Sequence, residues 1–355
     1  MKIIHTSDLH INSPLTATLP SAKVAERKRE IFSNFARLAD EATRVGASAI
    51  IIAGDLFDSD RLSAKDRDRV ISTVERHPAV TFFYLSGNHE GDALTRAAEL
   101  PENLKIFGDR TTVYETDEAR FIGFCDTSAE NFSNIVTAPD KVNILVLHGE
   151  LRDRSSSGGI IGRKDIEKSG VRYVALGHYH SYSEEAIGDS CVAVYSGTPE
   201  GRGFDETGDC GYVLIEVKGE ALSHRFVKFA KRTIHIKSVD ITGAHSQYEI
   251  EARVTDAVRG ISKDDVVRIT LTGKYTAKTR KDTVALEYAL GASFYHFEVK
   301  DDSRLFHNPK EYENDKSLKG EFIRLVMSKG DLSGEEKERI IKCGLSALAG
   351  ESFDE

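Results

Sequence analysis

The sequence predicts an α/β protein in which two stacked sheets are flanked by helices and a smaller C-terminal α/β domain follows. Three observations carry this. Five short apolar or β-branched runs each lead straight into a polar motif, the pattern of a buried strand ending in a turn. Segments of helical spacing lie between the early runs, making a β-α-β start. Near Ala230 the character changes, and the later strand-like runs lead into no comparable motif.

The elements follow in order. Lys2 to Thr6 reads as a strand leading into Asp8-Leu9-His10. Ile31, Phe35, Leu38, Ala42 and Val45 recur at helical spacing across Ala22 to Val45, with Gly46 as a C-cap. Ser48 to Ala53 leads into Gly54-Asp55-Leu56-Phe57-Asp58, and Val80 to Leu85 leads into Gly87-Asn88-His89-Glu90. Lys65 to Arg76 and Asp92 to Leu100 read as helices. Val142 to Leu147 leads into His148-Gly149-Glu150, and Tyr173 to Leu176 leads into Gly177-His178-Tyr179-His180. Phe121 to Cys125 and Cys191 to Tyr195 are shorter strands, whereas Arg152 to Gly162 reads either as a mobile flap or as an unordered surface loop. Beyond Ala230, Thr233 to Ile241, Tyr248 to Val254, Asp265 to Leu271 and Phe294 to Val299 read as strands. Asn308 to Ser317 reads as a linker, and Leu318 to Met327 and Ser333 to Ala349 as closing helices. The expected domains are residues 1–231, a cap over 232–308, and a linker with terminal helices over 309–355.

The motifs place their polar residues on turns at the carboxyl ends of strands, where ligands of α/β sheets gather. Jointly they offer four imidazoles (His10, His148, His178, His180), two carboxylates (Asp8, Asp55) and one carboxamide (Asn88). That mixed nitrogen and oxygen set suits Mn, Fe or Zn and suits Ca poorly. Gly54, Gly87 and Gly177 lie just before candidate ligands, where a strand must break into a tight turn. Any one motif alone is weak, since Gly-Asp is a common turn and Gly-Asn-His could signal a hairpin. All five in order, each after an apolar strand, is a far more specific signal. His5 falls inside a strand and reads as a structural histidine, as do the motif-free His77, His224, His235, His245, His296 and His307.

Composition agrees with a two-domain globular chain. At 355 residues, with 40% hydrophobic and 30% charged residues, the chain is neither disordered nor built of membrane spans. The opening Met1-Lys2-Ile3-Ile4-His5 enters a strand at once, leaving no room for a removable signal, so a cytoplasmic location is expected. Cys125, Cys191, Cys210 and Cys343 show no paired spacing and read as reduced thiols.

The five motifs in this order resemble the calcineurin-like metallophosphoesterases. Within that family the opening Ile4-His5-Thr6-Ser7-Asp8-Leu9-His10-Ile11-Asn12-Ser13-Pro14-Leu15 resembles DNA repair exonucleases of the SbcD and YhaO type. Tyr195-Ser196-Gly197-Thr198-Pro199-Glu200 and Gly211 to Val217 are similar to that subgroup's last catalytic-domain strands, and the specific resemblance runs to about Lys231. It implies the four-layer metallophosphoesterase fold, with Asp8, His10 and His180 on a first divalent metal ion, Asn88, His148 and His178 on a second, and Asp55 bridging. A bridged pair of ions roughly 3.5–4 Å apart clamps the attacking and leaving oxygens of an in-line displacement. His89 is then left without a metal and takes the role of protonating the leaving alkoxide. Many of these nucleases have Asp after the Asn-His pair; here Glu90 stands there, long enough to orient the His89 ring, and Asp58 occupies a position that varies between Asp and His.

The activity so implied is a Mn²⁺-dependent DNA exonuclease, possibly endonuclease as well, with Fe or Zn as alternative cations. Its implied partners are DNA and an SbcC-type coiled-coil ATPase or a related one; a homodimer is a further option. A phosphodiesterase or phosphatase of small phosphoesters, and a metal-free scaffold of the same fold, are the alternatives. The net charge of −9 speaks against a generally DNA-binding surface. Basic residues are concentrated in Arg61 to Arg69, in Arg152, Arg154 and Arg163-Lys164, in Lys228 to Arg232, and in Lys274 to Lys281. Lys274, Lys278, Arg280 and Lys281 are the candidate DNA contacts. In the terminal helices, Phe322, Leu325, Val326, Ile340, Ile341, Leu345 and Leu348 could form an apolar face, either docking a partner or packing on the chain's own cap.

Overall fold

The computed structural model describes residues 1–15, 19–59, 63–91, 94–95, 99–276, 279–306, 312 and 314–349. The chain divides into two units, Met1–Ile234 and His235–Glu355. In the first, β1 (Lys2–Thr6), α1 (Ser21–Val45), β2 (Ala49–Ala53), α2 (Ala64–Glu75), β3 (Thr81–Leu85) and β4 (Leu104–Phe107) come in turn. Then follow β5 (Thr112–Glu115), β6 (Ala119–Gly123), α3 (Ala129–Ser133), β7 (Val142–His148), β8 (Glu150–Arg152), β9 (Ile160–Gly162) and α4 (Arg163–Glu167). β10 (Tyr173–Gly177), β11 (Ser183–Ile187), β12 (Cys191–Tyr195), β13 (Gly211–Lys218) and β14 (Ala221–Lys228) complete it.

Two six-stranded sheets result, in the orders β14-β13-β1-β2-β3-β4 and β11-β12-β10-β7-β6-β5. The side chains of β2 explain the layering. Alternate residues of a strand point to opposite faces, and here both faces are buried. Ala49, Ile51 and Ala53 join Phe83, Phe121, Ile144, Val146 and Val213 between the sheets. Ile50 and Ile52 face Phe35, Leu38, Ala42, Val70 and Val74 of α1 and α2. On the far side, Leu145, Leu147, Val174 and Leu176 pack with Phe132 and Ile166 of α3 and α4. The layers therefore run helix, sheet, sheet, helix, as the sequence leads one to expect. Gly46 caps α1 in the left-handed conformation, with φ of 70°. β1, β2 and β3 run parallel, as do β7 and β10, so five strands deliver their carboxyl ends to the site.

The expected flap is no loose loop. β8 and β9 pair in parallel, Thr127 Oγ1 donates to Ser156 O at 2.7 Å, and Ser155 N–H donates to Asp165 at 2.9 Å. Hydroxyl and carboxylate partners along Arg152 to Gly162 satisfy the backbone groups that a mobile flap would leave to water. The expected helix over Asp92 to Leu100 lies largely outside the described residues, as do most of the linker stretch and His307.

The second unit has a three-stranded sheet of β15 (Ile234–Asp240), β16 (Val266–Thr272) and β18 (His296–Asp301), with α5 (Gln247–Ala257) and α6 (Thr283–Gly291). β17 (Lys274–Tyr275) and β19 (Arg304–Leu305) form a small parallel pair, and α7 (Leu318–Ser328) and α8 (Gly334–Ala349) close the chain. The expectation of a strand over Tyr248 to Val254 is corrected to helix α5. Apolar and charged residues alternate there, which imitates a half-buried strand. Ser246 nevertheless accepts from Glu249 N–H while Glu249 accepts from His245 N–H at 3.0 Å, a capping arrangement that starts a helix. Ile250 and Val254, four apart, then face the core. All four cysteines are free, though Cys343 is exposed and not a buried apolar residue.

A buried ionic cluster ties the start of α1 to the chain leaving β12. Glu200 lies 2.6 Å from Arg27 and accepts from the amides of Lys231 at 2.6 Å and Arg232 at 3.1 Å. Glu30 accepts from Arg27, Lys231 and Arg232, and although burial opposes ionisation these bonds hold its carboxyl down at about 2. Removing one member of such a cluster leaves an uncompensated buried charge. Glu200→Ala is therefore expected to lower unfolding stability by about 3–5 kcal/mol, read from denaturant unfolding, whereas a loss under about 1 kcal/mol would show that the cluster is solvated.

Candidate metal centre

The loops after β1 and β2 are zipped together by backbone. Asp8 N–H donates to Gly54 O at 3.1 Å, His10 N–H to Asp55 O at 3.0 Å and Ile11 N–H to Leu56 O at 2.9 Å. To present their side chains from this ladder, Asp8, His10 and Asp55 take positive φ values of 51°, 44° and 50°, and His178 takes 108°. Residues other than glycine persist there at a cost of about 1–3 kcal/mol each, held by their surroundings, and such positions cluster at functional sites.

The glycines before the ligands make room more than they make turns. A Cβ on Gly54 would lie 2.1 Å from His148 Nδ1, one on Gly87 1.9 Å from Asp55 Oδ1, and one on Gly177 1.9 Å from the carbonyl oxygen of Ala53. Of the three only Gly54, at φ +90°, also needs glycine's conformational freedom.

Two clusters form. Asp8, His10 and His180 bring one ligand atom each within 4.8 Å of one another, and so do Asp8, Asp55 and His148. Asn88 joins the second through Oδ1, 2.9 Å from His148 Nε2. One oxygen of Asp55, Oδ2, lies 3.3 Å from His148 Nε2 and 3.8 Å from His10 Nε2, facing both clusters. His178 gives its backbone N–H to both Asp8 oxygens at 3.1 Å, while its exposed ring stands 5.5 Å from that of His148.

The donor set fits divalent cations, as the ring nitrogens show. His148 Nδ1 lies 2.9 Å from the carbonyl of Ala53, His180 Nδ1 2.7 Å from Glu206 and His10 Nδ1 2.9 Å from Asp58. The Ala53 carbonyl can only accept, so His148 Nδ1 carries the proton and its Nε2 turns a lone pair inward; Glu206 favours the same tautomer of His180, whereas His10 Nδ1, though close to Asp58, makes no hydrogen bond. His10 Nε2 and His180 Nε2 then face each other at 3.2 Å, and His148 Nε2 faces only oxygens. Lone pairs converging so closely call for an electrophile between them. Burial pushes His148 down, yet Asp55 overrides it and raises the imidazole to about 9. Burial raises the Asp8 carboxyl to about 6, against the pull of nearby imidazoles and Ser7. Burial, with the Arg202 cation, lowers His10 to about 3.

Glu90 and two of the basic residues already have partners within the chain. Glu90 is fully buried and accepts from the amides of Leu56 at 3.1 Å, Phe57 at 2.7 Å and Gly87 at 3.1 Å. It braces the loops after β2 and β3 and does not orient the His89 ring; burial raises its carboxyl to about 7. Lys281, a candidate DNA contact, is paired with Asp301 and lies 3.7 Å over the Tyr275 ring. Lys274 is paired with Glu338. Arg280 is exposed, whereas Lys278 lies outside the described residues. Asp58, expected as catalytic support, lies 2.9 Å from His10 Nδ1. His5 bonds Tyr173 at 2.9 Å and Leu176 O at 3.3 Å, a structural histidine as expected.

Sequence reasoning missed Arg202 and Glu206, which reach His180 from the loop after β12. Their only signal is two charged residues four apart in a glycine-rich stretch between strands. Gly177→Ala is expected to force the β10 turn off Ala53 and reduce divalent-metal uptake at least tenfold in a chain that still folds, as measured by metal content after gel filtration. Uptake equal to the parent would show that this close approach is not needed.

Residues 1–182 match the family described as calcineurin-like phosphoesterase. Over 297 residues the chain is 28% identical to the uncharacterized metallophosphoesterase YhaO of Bacillus subtilis (strain 168), covering 77% of this chain and 72% of that one. Over 357 aligned positions it is 23% identical to the DNA double-strand break repair protein Mre11 of Methanosarcina mazei, covering 95% of this chain but only 56% of that relative. A crystal structure of a dimetal phosphatase from Danio rerio is similar at a TM-score of 0.39 and 10% identity, over 64% of this chain and 98% of that one. The chain belongs to the calcineurin-like phosphoesterase family, and its buried Asp and His residues form the dimetal-binding site of a metallophosphoesterase.

Proposed function

We propose that the chain is a Mn²⁺-dependent DNA nuclease, an exonuclease of DNA repair that hydrolyses phosphodiester bonds. The observation that carries the reading is the paired ligand clusters with a half-exposed histidine, His89, beside them. The similarity to proteins named DNA double-strand break repair protein Mre11 supports DNA as the substrate. Fe and Zn suit the same donors. Two bound cations would supply Lewis acidity to the attacking water and to the phosphate oxygens.

The chain's own residues do the rest. Asp8, His10 and His180 hold one position, Asn88, His148 and His178 the other, and Asp55 faces both. His89 has no acceptor fixing its Nδ1 among the bonds described; its side chain is 47% exposed and its Nε2 lies 3.9 Å from Asp55 Oδ2. In this reading His89 meets the substrate and gives a proton to the leaving oxygen as the P–O bond breaks and the oxygen of the attacking water, giving up its own proton to solvent, bonds to phosphorus.

The Lys274 to Lys281 stretch gives less support to DNA binding than its composition suggests, because Lys274 and Lys281 are already paired. An SbcC-type ATPase remains the proposed partner. Val326, Ile341 and Leu345 fill the core between α7 and α8, while Leu325 and Leu348 stay exposed for docking. Among the described residues no helix is long and apolar enough to cross a membrane.

With Mn²⁺, the protein is expected to cut both labelled DNA and an aryl phosphodiester, and to lose both activities in chelator or as Asp55→Ala. Cleavage of the aryl ester with DNA left intact would instead assign the site to small phosphoesters. His89→Asn is expected to bind both cations and to lose about 10²–10⁴-fold in turnover. Loss of metal from that variant would make His89 a ligand.

A further inference from the structure

The two clusters differ in what stands behind their imidazoles. His148 rests its Nδ1 on a neutral backbone carbonyl, that of Ala53 at 2.9 Å. His180 rests its Nδ1 on the Glu206 carboxylate at 2.7 Å, and the Asp58 carboxylate lies 2.9 Å from His10 Nδ1 as a charge beside the ring, without a hydrogen bond to it. A carboxylate behind an imidazole raises its basicity as a ligand and fixes its tautomer more firmly than a neutral acceptor does.

Arg202 links the two carboxylates. Its side chain is nearly buried, and its Nη1 lies 3.6 Å from Asp58 and 3.0 Å from Ser13 Oγ. Its backbone N–H donates to Glu206 at 2.6 Å and its Nε at 3.0 Å, and its Nη2 bonds the same Glu206 oxygen that holds His180. Nη2 also comes within 3.2 Å of His180 Nδ1. Two donors approach that closely because both converge on one oxygen of Glu206. A buried Arg–Glu pair is weak as a source of stability in itself, since desolvation offsets much of the attraction. Here it holds Glu206 against the His180 ring and keeps the Asp58 charge beside His10.

We propose that Glu206 and Asp58, bridged by Arg202, are positioning residues that make the Asp8/His10/His180 cluster the tighter of the two cation sites. Filling of the centre is then sequential, the Asp55/Asn88/His148 cluster loading second and at higher metal concentration. The proposal rests on the reading of the centre as a two-cation site. It requires Glu206 to act through its charge and its hold on His180 Nδ1.

The test is titration of the full chain with Mn²⁺, reading free Mn²⁺ by electron paramagnetic resonance, with circular dichroism as the check of folding. The parent protein is expected to bind in two classes of different affinity. Glu206→Gln, which keeps the shape and removes the charge, should weaken the tighter class by about 10–100-fold and leave the weaker class unchanged. Asp58→Asn, at a more exposed side chain, should do the same through His10 and serves if the Glu206 variant does not fold. In the metal-free protein, ¹⁵N shifts of the His180 ring should report the Nδ1–H tautomer, and that preference should decline in Glu206→Gln. Unchanged affinities, or equal weakening of both classes, would overturn the proposal. A parent protein that binds one cation or none would instead overturn the two-cation reading beneath it.

Discussion

The rest of this molecule depends on how closely the two sheets approach at their carboxyl edges. There His148, leaving the second sheet, donates to the Ala53 carbonyl of the first at 2.9 Å, across 95 positions of sequence. The approach works only because Gly54 and Gly177 carry no Cβ; side chains there would collide with His148 and Ala53. It brings ligands from five strand ends to one place, and it fixes the proton of His148 on the far side of the ring. A rigid sandwich core, with apolar side chains from both sheets between them, sets the distances that flexible loops alone would not hold.

Around that contact, the protein keeps a dense arrangement of acceptors and lone pairs whose charge is poorly balanced without cations. Asp8 and Asp55 are buried beside imidazoles whose Nε2 atoms point inward, and the backbone at four ligand positions lies in the left-handed region. These are expensive features for a fold to maintain. Glu90 and Glu206 make them tolerable by holding backbone amides and the His180 ring nitrogen from behind. The surrounding carboxylates therefore serve geometry, whereas the inner ones, Asp8 and Asp55, belong to the candidate ligand clusters.

Much of this was legible in the sequence. The strands were visible as apolar runs, Gly46 as a helix stop, and the candidate ligands as motifs at strand ends, because each depends on neighbours a few residues away. The role of Glu90 was not, since it follows from where the amides of Leu56 and Phe57 fall in space. Tyr248 to Val254 alternates like a strand, and only the pairing of Ser246 with Glu249 tips it to helix. The basic residues after Gly273 looked free because their partners, Asp301 and Glu338, lie far along the chain. Arg202 and Glu206 were hidden for the same reason: what they support, His180, belongs to another loop.

The central claim is that two divalent cations share one centre at this edge. The most direct measurement is anomalous diffraction from crystals soaked in Mn²⁺. The account predicts two peaks, one among Asp8, His10 and His180 and one among Asn88, His148 and His178, with Asp55 between them. A single peak, or density held by other residues, would contradict it.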